Sequence, residues 1–196
     1  MEWMMITQDK PVDLPRRRFM FSTVAASLSG ITVAMLAGRP GIAAAAGQGD
    51  EATEMDVRIL NTALAAEREA VAAYQVGADS GLLSTGVTKV ALAFQGHHKQ
   101  HADVLAGTIG KLGGTVQEPR SVYDFPVDSL NSEADVLKFA AGLERGAVSA
   151  YAGAIPLFEN RELSKAAASI LADEAMHWAV LRQALGLNPV PGAFFS

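Results

Sequence analysis

The sequence predicts an all-α protein, a four-helix bundle in which one long crossover joins the second helix to the third. Apolar residues recur every three or four positions over four long stretches, and no stretch shows the period-two alternation of a strand. Short connections join the first stretch to the second and the third to the fourth, so each pair should be antiparallel. Residues 113–131, between the second and third helices, are enough to cross the bundle from end to end.

Each helix is bounded by residues that start or stop helices. The predicted bounds are 56–78 and 85–112 for the first two helices, Ser132 to about Pro156 for the third, and Asn160 to Gly186 for the fourth. Ser132 and Asn160 are residue types that cap helix N-termini. Pro156 should loosen the end of the third helix, and Gly186 should end the fourth.

The N-terminal segment, residues 1–46, has the order of an export signal. Three arginines begin the run 16–20, a mostly apolar stretch covers 21–38, and small residues fill 43–46. The run Arg-Arg-Arg-Phe-Met resembles the twin-arginine export motif, with Pro15 where that motif prefers Ser or Thr. A Sec signal and a retained membrane anchor are the alternatives. We expect export through the twin-arginine route to the periplasm or cell envelope, with no stable membrane insertion after the signal is removed.

The remaining chain divides into a linker over 47–55, the bundle over 56–187 and a C-terminal tail over 188–196. The formal net charge is −5 at pH 7 and no basic stripe marks the bundle, so nucleic acid is not an expected partner. The chain has no cysteine, which excludes disulfides, iron–sulfur clusters and thiolate zinc sites. Any bound metal must therefore be held by nitrogen and oxygen ligands.

The two halves of the predicted bundle repeat. Residues 67–74 read EREAVAAY and residues 144–151 read ERGAVSAY, which is a strong match. Residues 98–105 read HKQHADVL and residues 174–181 read EAMHWAVL, which is a moderate one. Two helical hairpins related by a pseudo-twofold axis would pack these segments around one centre.

Six polar side chains of this repeat fall on the apolar stripes, which should face the core. They are Glu67, His98, His101, Glu144, Glu174 and His177. Burying an unpaired carboxylate costs several kcal/mol, and a cation shared among such groups would offset that cost. The i, i+3 spacing places both members of each pair on one helix face. The alternative for each residue taken singly is a solvated side chain, which is what we expect of Arg68, Glu69 and the off-stripe His97.

The pattern resembles that of the ferritin-like di-iron or di-manganese carboxylate proteins. There, two helices each give a Glu and the other two each give Glu-x-x-His. Glu67 and Glu144 match the single glutamates and Glu174-x-x-His177 matches one pair, whereas His98-x-x-His101 stands in place of the other. Over 56–187 the chain is similar to exported bacterial ferritin-like proteins related to plant desiccation-associated proteins, as is its closing Pro189-Val190-Pro191-Gly192-Ala193-Phe194.

The resemblance implies one or two ions of iron or manganese and a small-molecule oxidant, O2 or peroxide, as the reaction partner. His98 leaves three carboxylates where the family has four, which favours a single ion, a mixed pair, manganese or zinc over an oxo-bridged iron pair. Two functions therefore stay open. One is an exported oxidoreductase in oxidative or desiccation stress, and the other is a non-enzymatic structural or stress-associated bundle with a degenerate metal site.

Two further features have alternatives that the sequence leaves open. Tyr74 and Tyr151 should lie in the core, either as packing residues or as donors to a ligand carboxylate. The small-residue faces that include Ala70 and Ala147 suit either packing within the chain or a homodimer.

Overall fold

The computed structural model of the protein describes residues 49–195, which form four long helices and their connections. The helices are α1 (Gly49–Asp79), α2 (Thr85–Lys111), α3 (Glu133–Ala154) and α4 (Arg161–Ala184). Short 3-10 turns cover Val127–Ser129 and Ile155–Leu157. No strand occurs over 49–195, so the all-α prediction is confirmed. The predicted export signal, 1–46, lies outside the described residues.

The predicted helix boundaries in the second half of the chain are confirmed by their capping contacts. The Ser132 hydroxyl accepts a hydrogen bond from the Asp135 backbone N–H at 3.3 Å. The Asn160 side chain accepts one from the Glu162 N–H at 2.9 Å. Gly186 follows α4 with φ +70°, a left-handed conformation that glycine adopts without strain.

The start of α1 differs from the sequence prediction. The helix begins at Gly49 rather than Asp56, so residues 49–55, which we expected to be a linker, are helical. Asp56 is a residue type that often caps its own helix, but here it is buried and serves another one. Its carboxylate accepts the backbone N–H groups of Glu159 at 3.0 Å and Asn160 at 3.1 Å, at the entrance to α4.

The helices pack as two antiparallel hairpins, α1 with α2 and α3 with α4. The crossover between the hairpins is tied to α1 by the buried side chain of Asn61. Asn61 donates to the Thr115 carbonyl at 3.0 Å and accepts from the Gln117 N–H at 2.9 Å. Arg68, which we expected to be solvated, also donates to the Gln117 carbonyl. The crossover therefore has a fixed course along α1.

The core consists of two apolar clusters with a polar layer between them. One cluster contains Leu60, Leu64, Leu105, Ile109, Tyr151, Phe158, Leu163, Ala167 and Ile170. The other contains Tyr74, Ala91, Phe94, Leu137, Ala140 and Leu181. Every helix runs from one cluster to the other, and the six predicted ligand residues lie between the two sets of positions on each helix.

Within residues 49–195, none of the helices has both the length and the apolar character needed to cross a membrane.

Candidate metal centre

All six predicted ligand residues lie together in the polar layer. Their helices supply Glu67 from α1, His98 and His101 from α2, Glu144 from α3, and Glu174 and His177 from α4. None exposes more than 8% of its surface. The structure thus brings together the side chains that the sequence singled out, and their binding of a metal stays a prediction.

The donor atoms form two overlapping groups of four, within each of which every atom lies within 4.8 Å of the others. The first group is Glu67, His98, His101 and Glu174, and the second is His98, Glu144, Glu174 and His177. Glu174 directs one oxygen to each group, because Oε1 lies 3.0 Å from His101 Nδ1 and Oε2 lies 3.3 Å from His177 Nδ1. Glu174 therefore belongs to both groups and would hold a cation in either of them.

Five donor atoms of the cluster are buried without a hydrogen-bond partner. They are His101 Nδ1, Glu144 Oε2, both carboxylate oxygens of Glu174, and His177 Nδ1. Over the described part of the chain, no other buried side-chain nitrogen or oxygen lacks a partner. Buried polar groups are nearly always hydrogen-bonded in native proteins, so this concentration of exceptions is what a set of metal ligands would leave. The residues present therefore fit a bound cation.

Two tyrosines donate hydrogen bonds to Glu67 and Glu144, the candidate ligands of α1 and α3. The Tyr151 hydroxyl of α3 donates to Glu67 Oε1 of α1 at 2.6 Å, and the Tyr74 hydroxyl of α1 donates to Glu144 Oε1 of α3. Each tyrosine thus serves the opposite helix, as the pseudo-twofold repeat requires. The sequence left open whether Tyr74 and Tyr151 only pack in the core or donate to a carboxylate. In the structure both tyrosines are buried, and each donates to a carboxylate.

The neighbouring histidines oppose the effect of burial on the carboxylates. Burial alone would raise the pKa of Glu67, but the nearby His101 and the hydrogen-bonded His98 outweigh it and lower the pKa to about 2. Glu144 is also buried, and the nearby His177 and the hydrogen-bonded His98 bring its pKa well below the ordinary value. For Glu174, burial prevails over the attraction of the neighbouring His101 and His177, and its pKa is raised.

The histidines respond in the complementary way. Burial alone would lower their pKa values, but the close approach of the surrounding carboxylates outweighs it. The pKa is raised to about 10 for His98, about 11 for His101 and about 9 for His177. At neutral pH these values place protons on all three imidazoles, so a cation that binds here must displace protons.

Two residues outside the predicted set border the outer side of the centre. The Asp173 carboxylate Oδ2 lies 3.4 Å from His101 Nε2 and 3.3 Å from His177 Nε2. His97 Nδ1 lies 2.8 Å from that same His177 nitrogen and 3.1 Å from Asp173 Oδ2. Our expectation of a solvated His97 is thus only partly right, because its side chain is 44% exposed yet contacts the site. The internal repeat could have indicated Asp173, because Asp173 precedes Glu174 at the position where His97 precedes His98.

A cavity of about 610 Å³ lies between α1 and α3 and reaches the centre at Glu67, His98 and Glu144. Small residues of the two helices make room for it, namely Ala63, Ala66, Ala70, Gly146, Ala147 and Ala150. Its lining also includes Leu157, which is exposed at the surface. A small molecule therefore has a mostly apolar route from the surface to the candidate ligands.

The chain matches the ferritin-like domain over residues 55–187. A solved structure of a conserved hypothetical protein from Mycobacterium tuberculosis superposes with a TM-score of 0.63 and 22% identity, covering 73% of this chain and 99% of that one. A structure from Bacillus anthracis, described as ferritin-like, diiron-carboxylate proteins, superposes with a TM-score of 0.59 and 22% identity, covering 69% and 99%. No curated protein matched the chain. The architecture, the crossover and this match agree, and the chain belongs to the ferritin-like domain family.

Proposed function

We propose that the protein binds one or two ions of iron or manganese in its buried centre and acts with them as an oxidoreductase on O2 or peroxide. The observation that carries the proposal is the set of buried, unpartnered donor atoms that face one another on α2, α3 and α4. When bound, such ions supply redox chemistry and polarise an oxygen-containing substrate. Zinc suits the same nitrogen and oxygen donors.

The chain's own residues would hold, orient and shield the ions. Glu174 stands between the two groups of donors, and His101 and His177 flank it through their Nδ1 atoms. Tyr74 and Tyr151 fix the orientation of the two outer carboxylates, which lowers the cost of arranging them around a cation. The cavity between α1 and α3 provides access for a molecule the size of O2 or peroxide.

A second candidate function is a stress-associated bundle that binds metal without turnover. His98 favours it, because this residue stands where the family pattern has a carboxylate and offers no negative charge. Its two ring nitrogens lie 2.8 Å from Glu67 Oε2 and 3.2 Å from Glu144 Oε1, where one protonated imidazole pairs with both carboxylates and offsets one of their two negative charges. A site balanced in this way needs less cationic charge and would stabilise a high-valent metal pair less well.

The proposed location is the cell envelope, reached through the twin-arginine route. This proposal rests on the order of residue types in the segment 1–46. N-terminal sequencing of protein isolated from the envelope would test it. An unprocessed N-terminus on cytoplasmic protein would contradict it.

The decisive experiment is elemental analysis of the protein purified from its native host, followed by Fe(II)-oxidation and peroxide-consumption assays. Stoichiometric iron or manganese with turnover supports the oxidoreductase, and stoichiometric metal without turnover supports the second candidate. Protein that carries no metal after native purification would contradict both.

A matched pair of variants tests the choice of residues. Glu174→Ala should weaken metal binding more than about 100-fold, since it removes a donor from both groups, whereas loss of an outer partner costs about 10- to 100-fold. Glu69→Ala is the control, because Glu69 is on α1 but partly exposed and pairs only loosely with Arg120 at 3.9 Å. Equal losses of affinity in the two variants would show that the wrong helix face was chosen.

A further inference from the structure

We infer that His97, Asp173 and the outer nitrogen of His177 form a second cation site, which receives a divalent transition-metal ion from solvent and passes it to the buried ligands. Two of these residues, His97 and Asp173, are not among the six that make up the buried centre. The outer site can bind an ion whether or not the buried centre does. Only the transfer of that ion to the buried ligands rests on the proposed function.

The spacing of the three donor atoms is the first support. His97 Nδ1 lies 2.8 Å from His177 Nε2 and 3.1 Å from Asp173 Oδ2, and the last two atoms are 3.3 Å apart. With metal–ligand bonds of about 2.1 Å, neighbouring ligands of a tetrahedral or octahedral ion lie about 3.0–3.4 Å apart. The three atoms are thus already spaced much as one face of a coordination polyhedron.

The chemistry of the donors is the second support. Two imidazole nitrogens and one carboxylate oxygen suit Zn²⁺, Mn²⁺, Fe²⁺ or Co²⁺ better than Ca²⁺ or Mg²⁺, which prefer oxygen alone. The close approach of His97 Nδ1 to His177 Nε2 leaves room for only one proton between two nitrogens. A cation would satisfy both lone pairs at once.

Accessibility distinguishes this cluster from the buried centre. The side chains of His97 and Asp173 are 44% and 25% exposed, whereas that of His177 is 2% exposed. An ion at the outer site would keep water on its remaining positions, so it would not have to shed its whole hydration shell in one step. The outer site therefore lies between solvent and the buried donors.

His177 connects the two sites through its two ring nitrogens. Nε2 faces His97 and Asp173, and Nδ1 faces Glu174 Oε2 at 3.3 Å and Glu144 Oε2 at 3.5 Å. Because both nitrogens belong to one small ring, an ion held at Nδ1 would repel a second ion held at Nε2. Occupation of the inner donors should therefore release the outer ion, and the two sites would be filled in succession.

The test is the rate at which the purified, chelator-stripped protein takes up Co²⁺, followed by stopped-flow absorbance. His97→Ala should slow uptake at least tenfold while leaving the final cobalt content of the buried centre unchanged. His97→Asp should keep uptake fast, because it replaces the imidazole with a carboxylate like that of Asp173. Gln100→Ala, on the exposed face of the same helix, is the matched control and should behave like the unaltered protein.

Each outcome bears on the inference. An uptake rate that is unchanged in His97→Ala overturns it, as does a lower final cobalt content with an unchanged rate, which would make His97 a structural residue. If cobalt never fills the buried donors, the proposed function fails separately. In that case the outer site still predicts one Co²⁺ per chain that His97→Ala abolishes, and retention of that ion would overturn the inference.

Discussion

His98 occupies the position at which the sequence departs from the pattern of the ferritin-like di-metal proteins, and its contacts give the exchange a physical meaning. With its pKa raised to about 10, the imidazole carries a proton on each nitrogen and donates to Glu67 and Glu144 from one central position. A glutamate there would either repel those carboxylates or have to take up a proton until a cation arrived. The exchange therefore stabilises the fold before metal binds, at the expense of one bridging carboxylate.

The tyrosine donors permit a prediction at the scale of single atoms. Tyr151→Phe removes only the hydroxyl that holds Glu67 Oε1 at 2.6 Å, so the apolar packing of the ring is kept. Because partners of this kind orient the ligand, we expect metal affinity to fall about 10- to 100-fold. A competition titration with a chromogenic chelator would measure the change.

Tyr123→Phe is the control for that prediction. Tyr123 lies in the crossover, where its ring stacks on Phe125 at 5.9 Å, away from the candidate ligands. The metal affinity of this variant should match that of the unaltered protein. An equal affinity in Tyr151→Phe would show that the hydroxyl does not orient Glu67 for metal binding.

The residues found and missed by sequence reasoning differ in how they lie on their helices. Glu67 and Glu174 could be predicted because each interrupts an apolar stripe, and the helical period then directs it into the core. His97 and Asp173 lie at the edge of that stripe and are partly exposed, so the period alone cannot separate them from solvated residues. Their role comes from the approach of α2 to α4, which is a tertiary contact.

At the scale of whole elements, the observed start of α1 differs from the start that the local sequence predicts. The sequence predicts that the helix begins at Asp56, yet it begins at Gly49, and the Asp56 carboxylate binds the turn before α4. This contact spans about one hundred residues of sequence, so no local pattern could reveal it. The starts of α3 and α4 were predictable because Ser132 and Asn160 cap their own helices.

The role of Asp56 gives a prediction about stability. Asp56→Ala leaves the backbone N–H groups of Glu159 and Asn160 without their acceptor, and removes a carboxylate that binds the start of α4. Hydrogen bonds to charged groups contribute about 1.5–3 kcal/mol, so we expect the free energy of unfolding to fall by about 2 kcal/mol in urea denaturation.

Glu54→Ala is the control for the Asp56 variant. Glu54 is also on the first turns of α1, but it is exposed and pairs only with Arg58 at 3.7 Å. Exposed pairs of this kind contribute about 0–1 kcal/mol, so this change should be nearly neutral. Equal losses in both variants would show that Asp56 does not connect α1 to α4.

At the scale of the whole molecule, the bundle places a charged layer between two apolar clusters, and this arrangement sets the pH dependence of its stability. The histidines have folded pKa values of about 9 to 11, above their ordinary value of 6.5. Their stabilising contribution is therefore complete below pH 6.5 and is lost as the pH rises through 9 to 11. Glu67, with a folded pKa of about 2 against an ordinary 4.5, contributes above pH 4.5 and loses that contribution toward pH 2.

The loss of the Glu67 contribution at low pH and of the histidine contributions at high pH predicts that the chelator-stripped protein is most stable between about pH 4.5 and 6.5. Glu174, whose pKa is raised, acts in the opposite direction to Glu67 and makes the loss of stability toward acid pH less steep. A bound divalent ion takes the place of the histidine protons, so the gain in Tm on adding Mn²⁺ or Co²⁺ should grow from pH 6 to pH 9. Differential scanning calorimetry at half-unit pH steps, with and without metal, measures both effects. A stripped protein whose Tm rises between pH 6.5 and pH 9, or a metal-induced gain that shrinks over that range, would contradict the assignment of protonated histidines to the polar layer.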